Sequence, residues 1–435
     1  MTAPDLVYDW NRRGTAFDYR TARVQLHDDT LRDGLQSPSA VDPPMDTKRR
    51  LLHLMAELGI ESANLGFPAA GPHMTEQVEA LAREIVAARL PLQAGAVARL
   101  RVEDVEAIAL LAEATGCVLE VAAFAGASDV RMEAEGWTLD ELLRMSEAAI
   151  GAAARLGLPV MFVVEDASRA RPETLAALYG HAIAHGARRL CLTDTAGAAT
   201  PGGVDRLVRF VRDEVIRPSG QAILLDWHGH RDRGLAIANC LAAVEAGVDR
   251  VHATALGVGE RAGNAEMDIL LANLAVLGAP RGDLTRLIDY CHLVAEALGL
   301  PIAYNYPVVG ADAFTTAAGV HAAAVVKALE KGGEALADRV YSSLPAAEFG
   351  LVQRIVISPV SGHANVRYWL QQHGYDPTDH VLVEALLAEA KRHDRVLSIN
   401  ECYRVVTEAL YRRETDSPAL ALPVAPSALE SDEQP

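Results

Sequence analysis

The amino-acid sequence predicts a (β/α)8 TIM barrel followed by a mostly helical C-terminal region. Between about residues 23 and 277, short apolar or β-branched runs alternate eight times with longer segments of helical periodicity. Strands that alternate with helices pair in parallel through crossover helices, and eight such units over this length fit a closed barrel better than an open sheet. Glycines lie near several of the predicted helix ends, where a left-handed residue is common.

Each of the eight units begins with a predicted strand and ends with a predicted helix. The strands are expected at Val24–His27, Ile60–Leu65, Leu92–Ala98, Val118–Ala123, Val160–Val164, Arg189–Leu192, Ala222–Trp227 and Arg250–Thr254. The helices are expected at Thr47–Leu58, Met74–Ala88, Val102–Ala114, Leu139–Leu156, Pro172–His185, Val204–Val215, Leu235–Ala246 and Met267–Leu277. In such a barrel the catalytic groups lie on the loops that follow the strands.

The alternation stops beyond about residue 285. We predict a helix at Leu287–Leu298, a proline-bearing segment at Pro301–Pro307, and a helix over the Ala- and Val-rich stretch Ala311–Gly332. The predicted domains are an N-terminal arm (1–20), the barrel (21–285), a subdomain (286–375), a helical region (376–413) and a disordered tail (414–435).

Composition excludes several functional classes. The chain has 435 residues, 50% of them hydrophobic, and a net charge of −18, which argues against nucleic acid as the main partner. The five cysteines are far apart and form no CxxC pair, so a disulfide framework is not expected and a reducing compartment fits. The N-terminus has no signal-peptide pattern, and no apolar run is long enough to cross a bilayer. We therefore expect a soluble cytoplasmic protein.

Polar residues cluster after five of the predicted strands, at 27–36, 165–169, 193–197, 228–232 and 257–264. His228 and His230 are two apart at a strand end, so both imidazoles can face one ion. The alternative is a pair of surface histidines on a loop. Two imidazoles with a carboxylate and an amide oxygen suit a divalent metal with open positions, although these ligands do not distinguish Zn²⁺, Mn²⁺, Co²⁺ and Mg²⁺.

Arg32 and Asp33 follow the first predicted strand. An aspartate there is a natural metal ligand, and an arginine beside it stays protonated and can hold an anionic oxygen. The alternative is a surface salt bridge. Taken alone, the glycine-rich segment 257–263 is a weak signal, and a tight turn into the eighth helix explains it equally well.

Several segments together carry a family resemblance. Residues 28–34 read D-D-T-L-R-D-G and closely resemble the D-T-T-L-R-D-G signature of the DRE-TIM metallolyase superfamily. Later segments resemble its Claisen-condensing branch, the 2-isopropylmalate, homocitrate and citramalate synthases. These are E-D-A-S-R at 165–169, H-G-H-R-D at 228–232, G-E-R-A-G-N-A at 259–265, V-G-A-D-A-F at 309–314 and G-V-H at 319–321. Their order along residues 22–370 argues against chance similarity.

The resemblance implies a divalent metal ion (Mn, Mg, Zn or Co) and acetyl-CoA as co-substrate of a 2-oxo acid. It makes Asp33, His228, His230 and Asn264 the metal ligands. The condensation would give a 2-substituted malate-type product and free CoA.

The resemblance also implies roles for four catalytic residues. Arg32 would stabilise the developing oxyanion, while Glu165 and His321 would enolise the acyl-CoA methyl group. Tyr341 matches the tyrosine of the downstream subdomain. In the family, the histidine that corresponds to His321 reaches the partner subunit's active site, which implies a homodimer. Without the family resemblance, a histidine in an Ala-rich helix is more often a core or capping residue. The candidate substrate-binding residues are Gln36, Thr195, Arg99 and Arg231.

The sequence departs from the family pattern at four informative positions. Leu35 stands where the family has Glu, and D-G-L-Q is like the hydroxymethylglutaryl-CoA lyase branch. Asn64 replaces the Glu of I-E-x-G-F-P. Arg231 and Arg233 replace a neutral pair. If at least one guanidinium group faces the barrel mouth, it predicts a preference for a dianionic 2-oxo acid. The alternative is that both arginines face solvent or pair with acidic residues. We expect a pocket unlike that of a standard 2-isopropylmalate synthase, and no long leucine-sensing domain.

Three functions remain open at this point. The first is a metal-dependent acyl-CoA:2-oxo acid condensing transferase. The second is a carbon–carbon lyase related to hydroxymethylglutaryl-CoA lyase, which Leu35 and Gln36 favour. The third is a non-catalytic barrel, and the retention of every proposed ligand argues against it.

Overall fold

A computed structural model describes residues 6–14, 17–279 and 281–415. Eight parallel strands close into a barrel in the order β1 to β8, with β1 pairing with both β2 and β8, which confirms the predicted TIM barrel. The strands are β1 Gln25–Asp28, β2 Ser62–Asn64, β3 Gln93–Arg99, β4 Leu119–Gly126, β5 Val160–Glu165, β6 Arg189–Asp194, β7 Leu224–Gly229 and β8 Arg250–Ala253.

Helices lie along the outside of the barrel, between successive strands and after β8. They are α1 Met45–Glu57, α2 Pro72–Ala87, α3 Val102–Thr115, α4 Asp129–Glu135, α5 Leu139–Arg155, α6 Pro172–His185, α7 Pro201–Phe210, α8 Arg217–Ser219, α9 Ala236–Ala246, α10 Met267–Val276 and α11 Leu287–Leu298. A π-helical turn, Val211–Ile216, joins α7 to α8. The short helix α4 was not predicted; it begins at Ser128, whose side chain accepts a hydrogen bond from the backbone of Arg131.

The barrel unit comprises Val7–Ala313 with Ala347–Leu351. It therefore extends past the predicted boundary at residue 285, because α11 packs against α1. A second unit contains Phe314–Ala346 and the described residues from Val352 onward. Its elements are β9 Thr315–Thr316, α12 Gly319–Val340, β10 Arg354–Ile355, α13 His363–Gln372, α14 His380–Ala390 and α15 Ile399–Thr415. Residues 414 and 415, at the start of the predicted disordered tail, belong to α15, and the rest of the predicted tail lies outside the described residues.

The helix predicted at Ala311–Gly332 was wrong for residues 311–318. The backbone turns tightly at Gly310, where a Cβ would lie 2.5 Å from the carbonyl oxygen of Tyr304. Thr315 and Thr316 then pair with β10 in a two-stranded parallel sheet, so their backbone groups are not available to a helix. α12 begins only after this sheet.

Charged side chains fill the lower end of the barrel. Arg250 is fully buried and bonds Asp226 and Glu120, each at 2.7 Å, and Arg189 bonds the same Asp226 at 2.7 Å. These residues lie at or near the start of their strands, opposite the mouth. Removing one partner of such a buried network leaves an uncompensated charge, which typically costs about 3–5 kcal/mol. The network therefore fills the end of the barrel opposite the mouth.

Candidate active site

A cavity of about 380 Å³ opens at the carboxyl ends of the strands, where a TIM barrel places its catalytic groups. Most of the site residues predicted from the sequence line it. These are Arg32, Asp33, Gln36, Glu165, Thr195, His228 and His230.

Asp33, His228 and His230 form a compact cluster of possible metal ligands. One ligand atom from each lies within 4.8 Å of the others, and each histidine Nε2 is 3.9 Å from Asp33 Oδ2. The Nδ1 of His228 lies 3.2 Å from Asp29 Oδ2, and the Nδ1 of His230 lies 3.2 Å from the Gly263 carbonyl oxygen. The Nδ1–H of His230 donates to the Gly263 carbonyl, which leaves the His230 Nε2 lone pair facing Asp33. The ion-pair contact of His228 Nδ1 with Asp29 turns the His228 Nε2 toward the same carboxylate.

The side chain of Asn264 completes the set of donors. Its Nδ2 donates to Asp33 Oδ1 at 2.8 Å and to the Val258 carbonyl at 3.0 Å. Its Oδ1 is buried and has no hydrogen-bond partner within the described structure. A buried acceptor without a donor is costly unless a ligand supplies the missing contact. Two imidazoles, a carboxylate and this amide oxygen fit a divalent cation.

The protonation states also suit metal binding. Burial, and then the neighbouring His228, lower the pKa of His230 to about 4, so its imidazole is neutral at pH 7. Burial alone would raise the pKa of Asp33, but the charges of Arg32 and the two histidines bring it below its usual range. The cluster therefore presents an anionic carboxylate and neutral imidazole without prior loss of a proton, as metal ligation requires.

The glycine-rich loop brings Asn264 to the cluster. Gly259 has φ 151°, and a Cβ there would lie 2.2 Å from Asn264 Nδ2 and 2.8 Å from Asp33 Oδ1. A Cβ on Gly263, at φ 100°, would lie 1.9 Å from the Gly257 carbonyl oxygen. Both positions require glycine because any side chain would collide with the ligands or the loop.

Arg32 is held beside the cluster by two carboxylates. One terminal nitrogen of its guanidinium is 2.8 Å from Asp33 Oδ2, and the other is 3.0 Å from Asp29 Oδ1. Its Nε is buried without a partner in the described structure. Asp29 was missed by the sequence interpretation, although the signal was present, since it replaces the first threonine of D-T-T-L-R-D-G.

Glu165 and Arg131 form an ion pair on the cavity wall. The Nε of Arg131 lies 3.0 Å from Glu165 Oε1, and both residues line the cavity. Arg131 belongs to the unpredicted helix α4, so this guanidinium was missed. Arg131 therefore adds a second guanidinium group to the cavity lining, besides that of Arg32.

Thr195 and Gln36 also reach the cavity. The Thr195 hydroxyl accepts a hydrogen bond from the Asp166 backbone at 2.8 Å and lies 3.1 Å from the Thr193 hydroxyl. Since the Thr193 hydroxyl donates to the Val164 carbonyl, the Thr195 hydroxyl hydrogen is free to serve Thr193 or a ligand. Gln36 is exposed at the rim.

Two predicted substrate-binding residues are not brought to the cavity. Arg99 donates to both oxygens of Asp104, at 2.8 and 2.9 Å. Arg231 donates to Glu266 and to the Ala262 carbonyl, both at 2.6 Å. Its neighbour Arg233 donates to the Ala198 carbonyl at 2.7 Å. In the described structure these guanidinium groups bond neighbouring acidic or carbonyl oxygens and do not line the cavity, so the cavity lining gives no support to the predicted preference for a dianionic acid.

The other two departures from the family pattern lie in different places. Asn64 is buried on the cavity wall, where its Oδ1 accepts a hydrogen bond from the Gly66 backbone at 3.3 Å. Leu35 does not line this cavity; it lines a small apolar crevice together with Leu51 and Leu293. The change at position 35 therefore adds to helix packing, while the change at position 64 alters the cavity itself.

His321 and Tyr341 lie in the second unit and contact each other. Their ring centroids are 4.3 Å apart although the residues stand at opposite ends of α12. A straight helix over that interval would separate them by roughly 30 Å. Gly333, at φ 64° and ψ −163°, interrupts the helix and lets the chain reverse. Both side chains remain exposed.

Comparison with known proteins decides the family. The model of the HMGL-like family matches residues 23–294, which contain the barrel strands and the cluster of Asp33, His228 and His230. The chain belongs to the HMGL-like family. This confirms the resemblance to the DRE-TIM proteins that the sequence motifs indicated.

Curated members of this family resemble the chain over most of their length. It is 33% identical to a probable 2-isopropylmalate synthase of Ignicoccus hospitalis, covering 85% of this chain and 87% of that protein. It is 31% identical to a putative (R)-citramalate synthase of Methanopyrus kandleri, covering 90% and 74%. It is also 31% identical to a homocitrate synthase of the same organism, covering 87% and 90%.

Solved structures of other proteins share the barrel. The crystal structure of hydroxymethylglutaryl-CoA lyase from Pseudomonas aeruginosa matches 65% of this chain and 95% of its own, with a TM-score of 0.54 and 23% identity. At this identity the likeness supports the fold alone. None of the described helices has the length and hydropathy that crossing a membrane requires.

Proposed function

We propose that this HMGL-like protein condenses acetyl-CoA with a 2-oxo acid and releases CoA and a 2-substituted malate-type acid. The observation that carries the proposal is the donor set of Asp33, His228, His230 and the orphaned Asn264 Oδ1, with Arg32 beside it. The relatives named as synthases of this reaction class support it. A divalent ion held by these four residues would polarise the ketone oxygen as a Lewis acid.

Arg32 acts where negative charge develops on the ketone oxygen. Asp29 and Asp33 fix its guanidinium from two sides, so the group is oriented before substrate arrives. Its buried Nε–H has no partner among the described residues, so it can donate a hydrogen bond to the alkoxide. Fixed donors of this kind stabilise a transition state because they need no reorganisation.

Glu165 and His321 handle the protons. The methyl group of acetyl-CoA loses a proton to this pair, and the resulting carbanion forms the carbon–carbon bond to the ketone carbon. The alkoxide then takes up a proton, and water cleaves the thioester to give a carboxylate and the CoA thiol. Glu165 is a carboxylate on the cavity wall outside the ligand cluster, and Arg131 orients it.

A thiol-release assay tests the proposal. Free CoA should appear only when acetyl-CoA and a 2-oxo acid are both present, and a panel of short, branched and dicarboxylic 2-oxo acids should identify the preferred substrate. The lyase alternative predicts instead that 3-hydroxy-3-methylglutaryl-CoA is cleaved without any 2-oxo acid. Of the two residues that suggested that alternative, Leu35 lies in an apolar crevice and Gln36 lines the cavity.

We predict that Arg131 positions Glu165 for proton removal, because its Nε donates to Glu165 Oε1 at 3.0 Å. Arg131→Ala should lower kcat by about tenfold to a hundredfold, because a charged hydrogen bond contributes about 1.5–3 kcal/mol. Arg171→Ala is the matched control, since Arg171 pairs with Asp129 on the same helix and does not line the cavity. Steady-state kinetics with each substrate varied in turn makes the measurement. An unchanged kcat in Arg131→Ala would contradict the assignment.

We infer further that the enzyme is a homodimer in which His321 serves the partner's cavity. The contact between His321 and Tyr341 supports this, because both rings are exposed and neither packs into the core of its own unit. His321→Ala and Arg32→Ala should each be nearly inactive alone. Mixing the two under subunit exchange should restore part of the activity, since one of the mixed sites contains both intact residues. Exchange shown by mass without recovery would contradict this arrangement.

We also infer a cytoplasmic location. All five cysteines are buried and carry free thiols. Buried free thiols are typical of proteins kept in a reducing compartment.

A further inference from the structure

A second cluster of metal-type donors lies outside the barrel, on neighbouring helices. His181 and His185 stand one turn apart on α6, with ring centroids 4.2 Å apart, and Glu147 faces them from α5. One donor atom from each residue lies within 4.8 Å of the others. We call this group the α5–α6 cluster.

Both imidazoles in the α5–α6 cluster present a bare nitrogen. The Nδ1–H of His185 donates to the His181 carbonyl at 2.9 Å, which leaves its Nε2 lone pair toward Glu147. The His181 Nε2 is buried and has no hydrogen-bond partner in the described structure. Burial, and then the nearby His185, lower the pKa of His181 below its usual value. Unprotonated imidazole is the form that binds metal ions.

The spacing of the donors fits an ion better than direct contacts. His181 Nε2 lies 3.7 Å from Glu147 Oε2, and His185 Nε2 lies 3.6 Å from Glu147 Oε1. Both distances exceed a hydrogen bond, which spans about 2.7–3.2 Å. Ligands around a tetrahedral ion with bonds of about 2.0–2.2 Å stand roughly 3.4 Å apart.

We propose that Glu147, His181 and His185 form a second divalent-metal site that takes Zn²⁺ or a similar late transition-metal ion. Two imidazoles and one carboxylate favour such ions over Mg²⁺ or Ca²⁺, which prefer oxygen ligands. The two histidines lie in the last turns of α6, whereas the cavity lies at the strand ends that precede each helix. The ion therefore ties α5 to α6 and takes no part in the proposed reaction.

The number of bound zinc ions tests this site on the full chain. After chelator treatment and dialysis against Zn²⁺, the unmodified protein should bind two ions. His185→Ala and His228→Ala should each bind one, and the double variant none. His292→Ala, an exposed histidine on α11, is the matched control and should bind two. His185→Ala should also keep its condensation rate.

The outcomes separate the two metal sites. If His185→Ala binds as much zinc as the unmodified protein, the α5–α6 site is refuted. If the unmodified protein and His228→Ala bind one ion each while His185→Ala binds none, the α5–α6 site stands and the metal of the proposed function fails. Glu147→Gln keeps the side-chain size at an exposed position and should weaken zinc binding in the His228→Ala background by about tenfold or more. Unchanged affinity in that variant would also overturn the proposal.

Discussion

Replacing Asp33 or His228 by alanine is expected to abolish both the metal bound in the cavity and turnover. Each change removes one of four donors, and loss of Asp33 also frees Arg32 and Asn264 from their common partner. Polarisation of the ketone by an ion contributes several kcal/mol to the transition state. At about 1.4 kcal/mol per tenfold, turnover should fall by about a thousandfold or more.

Metal analysis beside steady-state kinetics measures this effect. Arg233→Ala is a suitable control because it lies on the same loop and bonds only the Ala198 carbonyl among the described residues. It should keep both metal and rate. If either ligand variant retained cavity metal at a normal rate, the assignment of the cluster would be refuted.

The barrel was predictable because its signal is repeated eight times. A single misread unit does not change the fold class, and strand and helix bounds shifted by only a few residues. Helix α4 was missed for the opposite reason. It is seven residues long, has no buried residue and so shows no apolar periodicity. Missing this helix mattered for the site prediction, because α4 carries Arg131.

The site was predictable where side-chain direction follows from the backbone. The alternation of an extended segment correctly placed His228 and His230 on one face. The same alternation puts Arg231 on the opposite face, where it pairs with Glu266. The prediction that Arg231 faces the barrel mouth was therefore inconsistent with the alternation that placed the two histidines there. The contact between His321 and Tyr341 could not be read from spacing, because it depends on the reversal at Gly333.

Replacing Asp29 is expected to weaken the cavity metal and slow turnover, even though Asp29 is not itself a ligand. Its Oδ2 holds His228 Nδ1 at 3.2 Å, and its Oδ1 holds Arg32 at 3.0 Å. Burial alone would raise the pKa of Asp29, but Arg32, His228 and His252 bring it well below its usual value, so the group is a carboxylate. Partners of this kind typically contribute about tenfold to a hundredfold in metal affinity.

The two conservative replacements of Asp29 should differ in severity. In Asp29→Asn, the amide must turn its oxygen toward Arg32 and its NH2 toward His228 Nδ1, because the reverse would set two donors against each other. That NH2 favours the tautomer of His228 with a proton on Nε2, which cannot bind metal. In Asp29→Thr, which restores the signature residue, the hydroxyl can still accept from Nδ1. We therefore expect metal affinity and kcat to fall further in Asp29→Asn than in Asp29→Thr, with thermal unfolding confirming that both variants fold. Equal losses, or the reverse order, would show that Asp29 does not set the tautomer of His228.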